Sequence, residues 1–266
     1  VSLLPTRMVA MPWGRAVLPP PFAAPAGELI GEIWFEPPPA LDALLVKYIF
    51  TAEALSVQVH PSDAQTLAAG LGKQGKDECW LVVDAQPDAK LGIGFRDAIT
   101  PDAMRAAALD GSIEGLLEWY PASVGDFFYI PAGTVHAIGA GVTLIEVQQC
   151  GGLTYRLYDY GRARTLHLDQ GIGVAHGGPH DPALRRRLPE RGAVTLAEGP
   201  LFRLDRLDGP PDAATIARYA GPLLVIPLDV PVLVNGAPIA RGACAMASTI
   251  AAVECAGRCL ITQQLG

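Results

Sequence analysis

In the run Ser56-Val57-Gln58-Val59-His60, polar side chains alternate with valines. Strand side chains alternate faces, so Ser56, Gln58 and His60 point the same way. That face is either the solvated side of an edge strand or the inner wall of a site, because a small barrel keeps its interior apolar unless polar groups are needed there. A second cluster is Gly125-Asp-Phe-Phe-Tyr-Ile-Pro131-Ala-Gly133-Thr-Val-His136. It reads as a strand ending in a Pro/Gly turn that reverses the chain and directs the next strand's histidine inward. Imidazole nitrogen with carboxylate or amide oxygen is a donor set that zinc takes, and a catalytic zinc keeps one position open for water or substrate. Read alone, Lys76 is a solvated surface charge. Arg156, with Thr154 and Tyr158 on its face, is either a functional cation or half of a salt bridge to a carboxylate such as Asp159. Glu146 shares a strand face with Gln148. His167, His176 and His180 fit no ligand pattern and read as surface or linker residues.

The elements that must position these groups are short strands. Leu44 to Phe50, Leu55 to His60, Cys79 to Val83, Leu91 to Phe95, Asp126 to Pro131, Val142 to Gln148 and Thr154 to Asp159 are β-branched and aromatic stretches bounded by turn formers. Their density predicts a barrel or sandwich. Thr100 to Tyr120 breaks the rhythm: Pro101 and Asp102 open a segment whose apolar spacing predicts one or two short helices, an insertion at about 98–120. The polar, Pro/Gly-rich stretch from His176 to Pro182, followed by Arg185-Arg186-Arg187, reads as a linker, with a domain boundary near 180. Residues 1–180 are then the domain that carries these groups and any metal site they form. Residues 181–266 form a smaller β domain with strands near Ala193 to Ala197, Leu201 to Leu207, Leu223 to Pro227 and Val232 to Asn235, and a hairpin at Asn235-Gly236. The smaller domain has no histidine and so no imidazole for a metal.

Composition limits the function classes. The 266 residues suffice for a large core, and charged residues at 18% with 29 Gly and 24 Pro favour short elements and tight turns, an all-β class. The net charge of −7 provides no general field for nucleic acid or an anionic membrane, so an anionic ligand must be held by local cations. Five cysteines without a CxxC pair argue against a disulfide framework and for a reducing cytoplasm. Six prolines interrupt the apolar residues 1–27, leaving neither a secretory core nor a membrane span; the segment reads as an extended arm.

The Gly, Pro, Gly and His positions of the second cluster resemble the second motif of the cupin superfamily. The general cupin pattern departs twice here, with Gln58 for a first histidine and Glu78 following His60 after seventeen residues. Both departures resemble one family. Leu55-Ser-Val-Gln-Val-His-Pro61, Gly75-Lys-Asp-Glu-Cys-Trp80 and Gln148-Gln149 through Thr154-Tyr-Arg-Leu-Tyr-Asp-Tyr160 are similar to the signature segments of the short bacterial type I mannose-6-phosphate isomerases. Pro12-Trp13-Gly14 and Gly31-Glu-Ile-Trp34 extend the resemblance, which covers about residues 9–175. It implies a cupin, jelly-roll-like β-barrel with a degenerate, metal-free cupin-like unit after it. It also implies one zinc per chain on Gln58, His60, Glu78 and His136, with Arg156 and Lys76 catalytic, and Ser56, Lys76 and Arg156 binding a sugar phosphate. The implied reaction interconverts mannose 6-phosphate and fructose 6-phosphate through an enediol, in the carbohydrate metabolism of the cytoplasm, by a monomer or homodimer with no nucleic-acid or membrane partner. The rival readings are an isomerase of another sugar, phosphorylated or not, and a non-enzymatic sugar-binding bicupin, against which the retention of both Arg156 and Lys76 argues. A third, an oxygenase-type cupin, is disfavoured by Gln58 where a histidine-rich iron site is expected.

Overall fold

The computed structural model of the protein describes residues 2–265. Two antiparallel sheets hold the site. One has seven strands in the order Arg185–Arg187, Asp126–Ile130, Glu78–Ala85, Val142–Gln149, Leu44–Phe50, Ile30–Phe35, Thr6–Arg15. The other has five, in the order Tyr155–Tyr158, Val57–Val59, His136–Ile138, Lys90–Phe95, Leu117–Pro121. Their facing sides enclose a core of Trp13, Ile49, Trp80, Leu91, Ile93, Phe128, Ile130 and Leu144.

The outer face of the seven-stranded sheet is covered as well. Tyr48, Phe50, Leu81, Phe127 and Ile145 pack against Phe202, Leu204, Leu224, Ile226 and Leu260 of a six-stranded sheet built almost wholly from the C-terminal third. With both faces covered, Leu44–Phe50 and Val142–Gln149 are buried at every residue. This is why Leu44–Phe50 reads as a near-continuous apolar run. Ser2–Leu3 pairs with Ala245–Ala247 and so joins the N-terminal end to that sheet. A three-stranded sheet closes the C-terminal core, and its hairpin turns at Asn235 and Gly236, both at positive φ, as the sequence predicts.

The expected helical insertion forms as Pro101–Asp110 and Ile113–Leu116, but the chain from Leu117 to Pro121 is already a strand of the five-stranded sheet. Met104, Ala107, Ala108 and Ile113 cover the outer side of that sheet over Val57, Val59, Phe95 and Leu157.

Two segments differ from their sequence reading. The expected N-terminal arm contains the ten-residue strand Thr6–Arg15, and Pro12 is tolerated because pairing to Ile30–Phe35 is interrupted between Ala10 and Arg15. The expected linker folds back on the sheets: His176 N–H donates to Gly133 O at 2.7 Å, and Arg185–Arg187 adds an edge strand to Asp126–Ile130. No helix among the described residues is long and apolar enough to cross a membrane.

Candidate active site

Gln58 and His136 are partners in register on neighbouring strands, Val57–Val59 and His136–Ile138. Val57–Val59 ends at His60 because Pro61 cannot donate to a ladder. Ser62 then caps the helix Asp63–Ala68 in a capping box with Gln65. The long spacer to Glu78 is this helix and a return loop, which closes on the strand end through Lys76 N–H to Pro61 O at 3.0 Å. Gly75 is required at the closure, since a Cβ there would lie 2.3 Å from Pro61 O. Glu78 then opens its strand in the facing sheet. Before His136, Thr134 N–H donates to Pro131 O and Gly133 has φ +86°, the left-handed third residue of a tight turn.

These elements bring His60, Glu78 and His136 together, all buried, with one ligand atom from each within 4.8 Å of the others. His136 Nε2 is 3.3 Å from Glu78 Oε1, and His60 Nε2 is 3.6 Å from Oε2. Each imidazole has its other nitrogen at 2.9 Å from a backbone carbonyl, Leu153 O for His60 and Thr134 O for His136. A carbonyl accepts only, so Nδ1 carries the proton and Nε2 presents a lone pair to the carboxylate. Burial above all keeps both rings neutral, pushing His136 to about 4 and His60 well below its ordinary value. Among the described residues Glu78 Oε1 has no hydrogen-bond donor. Two lone pairs and a carboxylate aimed at one another form an acceptor-only cluster, which suits a divalent cation, with the carbonyls as the outer partners that fix the tautomers. Gln58 lies beside the cluster with its amide nitrogen 3.2 Å from His136 Nε2 and its carbonyl oxygen turned to Ser56 Oγ, also at 3.2 Å. An amide flip would aim that oxygen inward.

The cluster adjoins a cavity of about 210 Å³ lined by Ser56, Gln58, Lys76, Glu146, Gln148 and Arg156, among others. Lys76 is buried and its Nζ lies 2.5 Å from Glu78 Oε2, 3.2 Å from His60 Nε2 and 3.6 Å from Glu146 Oε1. It is therefore no surface charge. Burial alone would lower its pKa, but Glu146 and Glu78 outweigh that and raise it. Arg156 stands at the half-exposed rim, its Nε donating to Thr165 O at 3.0 Å. Asp159 is taken by Arg164, at 2.6 Å from both of its carboxylate oxygens, and by Arg162 at 3.2 Å. Among the described residues Arg156 has no carboxylate within ion-pair distance.

Sequence reasoning missed Lys47, Glu32 and Arg164 in the cavity wall. Lys47 Nζ is 3.1 Å from Glu146 Oε1 and 3.6 Å from Glu32 Oε2, and it lies over the Trp34 ring. Its signal was a lone lysine in Leu44-Leu-Val-Lys-Tyr-Ile-Phe50, an apolar run that can bury an ammonium only beside carboxylates. The buried groups alternate as Glu32, Lys47, Glu146, Lys76, Glu78, three carboxylates against two ammonium groups with formal charge −1. His167 accepts from Arg156 N–H at 3.2 Å, and His180 is buried with Nε2 2.8 Å from Tyr129 O, so neither is a free surface residue.

No family model matches the chain. A mannose-6-phosphate isomerase of Streptococcus mutans is 39% identical over 167 residues, which cover 60% of this chain and 52% of that protein. The matches to curated relatives span about half of the relatives' own length. The crystal structure of the mannose 6-phosphate isomerase from Bacillus subtilis superposes with TM-score 0.76 at 21% identity, covering 98% of each chain. A zinc-bound mannose 6-phosphate isomerase superposes with TM-score 0.71 at 13% identity, covering 100% of this chain and 99% of that one. The chain thus resembles mannose-6-phosphate isomerases in sequence and has the cupin-type fold of phosphomannose isomerases, as its motifs imply.

Proposed function

We propose that the chain is a zinc-dependent aldose–ketose isomerase that interconverts mannose 6-phosphate and fructose 6-phosphate through an enediol. The observation that carries this reading is the acceptor-only cluster of His60, Glu78 and His136 beside a cavity that also holds Lys76 and Arg156. A structural clamp needs no such cations. The similarity to mannose-6-phosphate isomerases supports a sugar phosphate as the anion.

His60, Glu78, His136 and, with its amide flipped, Gln58 would hold the zinc. Zinc when bound supplies Lewis acidity that polarises the sugar's carbonyl and acidifies the adjacent C–H bond. A dication changes the formal charge of the buried network from −1 to +1, which suits an anionic intermediate. The isomerisation moves one proton between C1 and C2 and exchanges protons on the two oxygens. Lys76, held as an ammonium by Glu78 and Glu146, donates to the oxygen that gains negative charge and takes that proton back from the enediol. Glu146 lines the same cavity 3.6 Å from Lys76 and is, with Lys76 itself, a candidate carrier of the carbon proton. Arg156, unpaired at the rim, offers a planar fork to phosphate or enediolate oxygens, and the Ser56 hydroxyl is a further phosphate donor.

The test is turnover of mannose 6-phosphate by purified protein, before and after chelation and after zinc is added back. Turnover that disappears with the chelator and returns with zinc supports the reaction and the metal together. Stoichiometric zinc without turnover of this sugar overturns the assignment, and a screen of other aldoses and of plain sugar binding then separates the rival readings.

A further inference from the structure

Behind the sheet that carries Lys47 and Glu146 lies a second cavity, of about 410 Å³, a size that accepts a small molecule. Successive residues of a strand face opposite sides, so Leu44–Phe50 turns Lys47 to the first cavity and Tyr48 to the second. Phe22 lies against Tyr48 with ring centroids 4.7 Å apart, giving two aromatic walls. A bulge shapes a third: Thr143 pairs with Asp84 but Leu144 with Val82, leaving Val83 unpaired, and both Val83 and Thr143 line the cavity.

Among the described residues, two residues that line the cavity each have a buried polar atom without a partner. Thr143 Oγ1 is one, on a residue 2% exposed. The other is Arg206 Nε, on a residue 4% exposed, whose terminal nitrogens donate at 2.7 Å to Pro189 O and Gly192 O. The charges around the cavity do not cancel. Asp229 is paired with Arg258 at 2.9 Å, and Asp84 faces Arg15 at 3.8 Å. Arg206 and Arg241 also line the cavity, and among the described residues neither has a carboxylate within ion-pair distance.

We propose that this cavity binds a small organic anion with a planar apolar ring, the ring against Phe22 and Tyr48 and the anionic oxygens toward Arg206 and Arg241. The site is separate from the catalytic cavity, on the opposite face of the strands they share.

The probe is anilinonaphthalene sulfonate, an aromatic anion whose fluorescence rises in apolar surroundings, titrated into the intact protein. Phenylnaphthylamine, which has the same rings and no sulfonate, is the neutral control. Arg241 is exposed and unpaired, so Arg241→Ala leaves the fold intact. It is expected to weaken the sulfonate about tenfold or more and to leave the neutral control unchanged. Val124→Trp, at an exposed position on the rim, is expected to exclude both probes. Absence of saturable sulfonate binding, binding indifferent to both substitutions, or binding lost in Arg156→Ala instead of Arg241→Ala would each overturn the proposal.

Discussion

Lys47→Met removes the ammonium between Glu146 and Glu32 and keeps most of the side chain's volume. At an effective dielectric constant near 20, an ion pair at the observed 3.1 Å is worth about 5 kcal/mol and one at 3.6 Å about as much. The cost of taking the ammonium out of water offsets part of that sum. What remains is the penalty for two buried carboxylates left short of a cation, about 3–5 kcal/mol. Glu146→Gln keeps the acceptor for Trp80 Nε1, now at 3.0 Å, while deleting the charge. The double variant Lys47→Met/Glu146→Gln therefore recovers part of the loss, with a coupling of about 1.5 kcal/mol or more. Urea unfolding of wild type, both single variants and the double variant, at one pH and one zinc concentration, gives the four free energies. A Lys47→Met cost under about 1 kcal/mol, additive with Glu146→Gln, would refute the alternating-charge network as the support of the cavity wall.

Arg156→Ala is expected to leave zinc content and the unfolding midpoint nearly unchanged and to cut turnover by about a hundredfold or more, because the residue has no structural ion pair to lose; metal analysis beside steady-state kinetics decides it. Gly151→Ala would put a Cβ 1.9 Å from Gly75 O, next to Lys76, so the two loops must part. A cost of about 1–3 kcal/mol and weaker zinc retention are expected, read by thermal unfolding and metal analysis. Burial pushes the pKa of His180 down. The unfolded chain takes up that proton below about 6.5 while the fold resists it. The stability supplied by neutral His180 is thus complete above that pH and is lost as the pH falls toward the folded value. His180→Gln should flatten the fall of the urea midpoint between pH 7 and 5, and an unchanged slope would exclude His180 as a source of it.

Strands covered on both faces were the most legible part of the fold. Leu44–Phe50 and Leu223–Pro227 appear with the bounds that their apolar runs predict, because every residue in them is buried and every residue reports it. Thr6–Arg15 was not legible. Its pairing is interrupted around Pro12 and much of its surface is exposed, so no alternation survives for a pattern to detect. Likewise, nothing local in His176 to Arg187 reveals that it covers the Gly133 turn and extends a sheet edge. There the decisive partner is another backbone, and backbone hydrogen bonds leave no side-chain signature.

The candidate site divides along the same physical line. Gln58, His60, Glu78 and His136 lie in short motifs, and their turns and spacing need particular residues at particular offsets: Gly75 where a Cβ would strike Pro61, Gly133 where φ is positive. The charges behind them are long-range. Glu32, Lys47 and Glu146 sit on three adjacent strands, and Lys47 faces Glu146 because Leu44–Phe50 and Val142–Gln149 pair in that register. Sequence shows each of these charges singly, inside an apolar run where it looks misplaced. Only the register shows that each one neutralises the next. The misplaced charge was the legible clue, since a lysine in a strand buried on both faces requires carboxylates on its neighbours. The active site thus reaches beyond four expected ligands into a buried electrostatic chain whose last member, Glu78, belongs to the imidazole–carboxylate cluster. A substitution at Lys47, two strands away from Glu78, should therefore be felt at the metal site through Glu146 and Lys76 without any change in the ligands themselves.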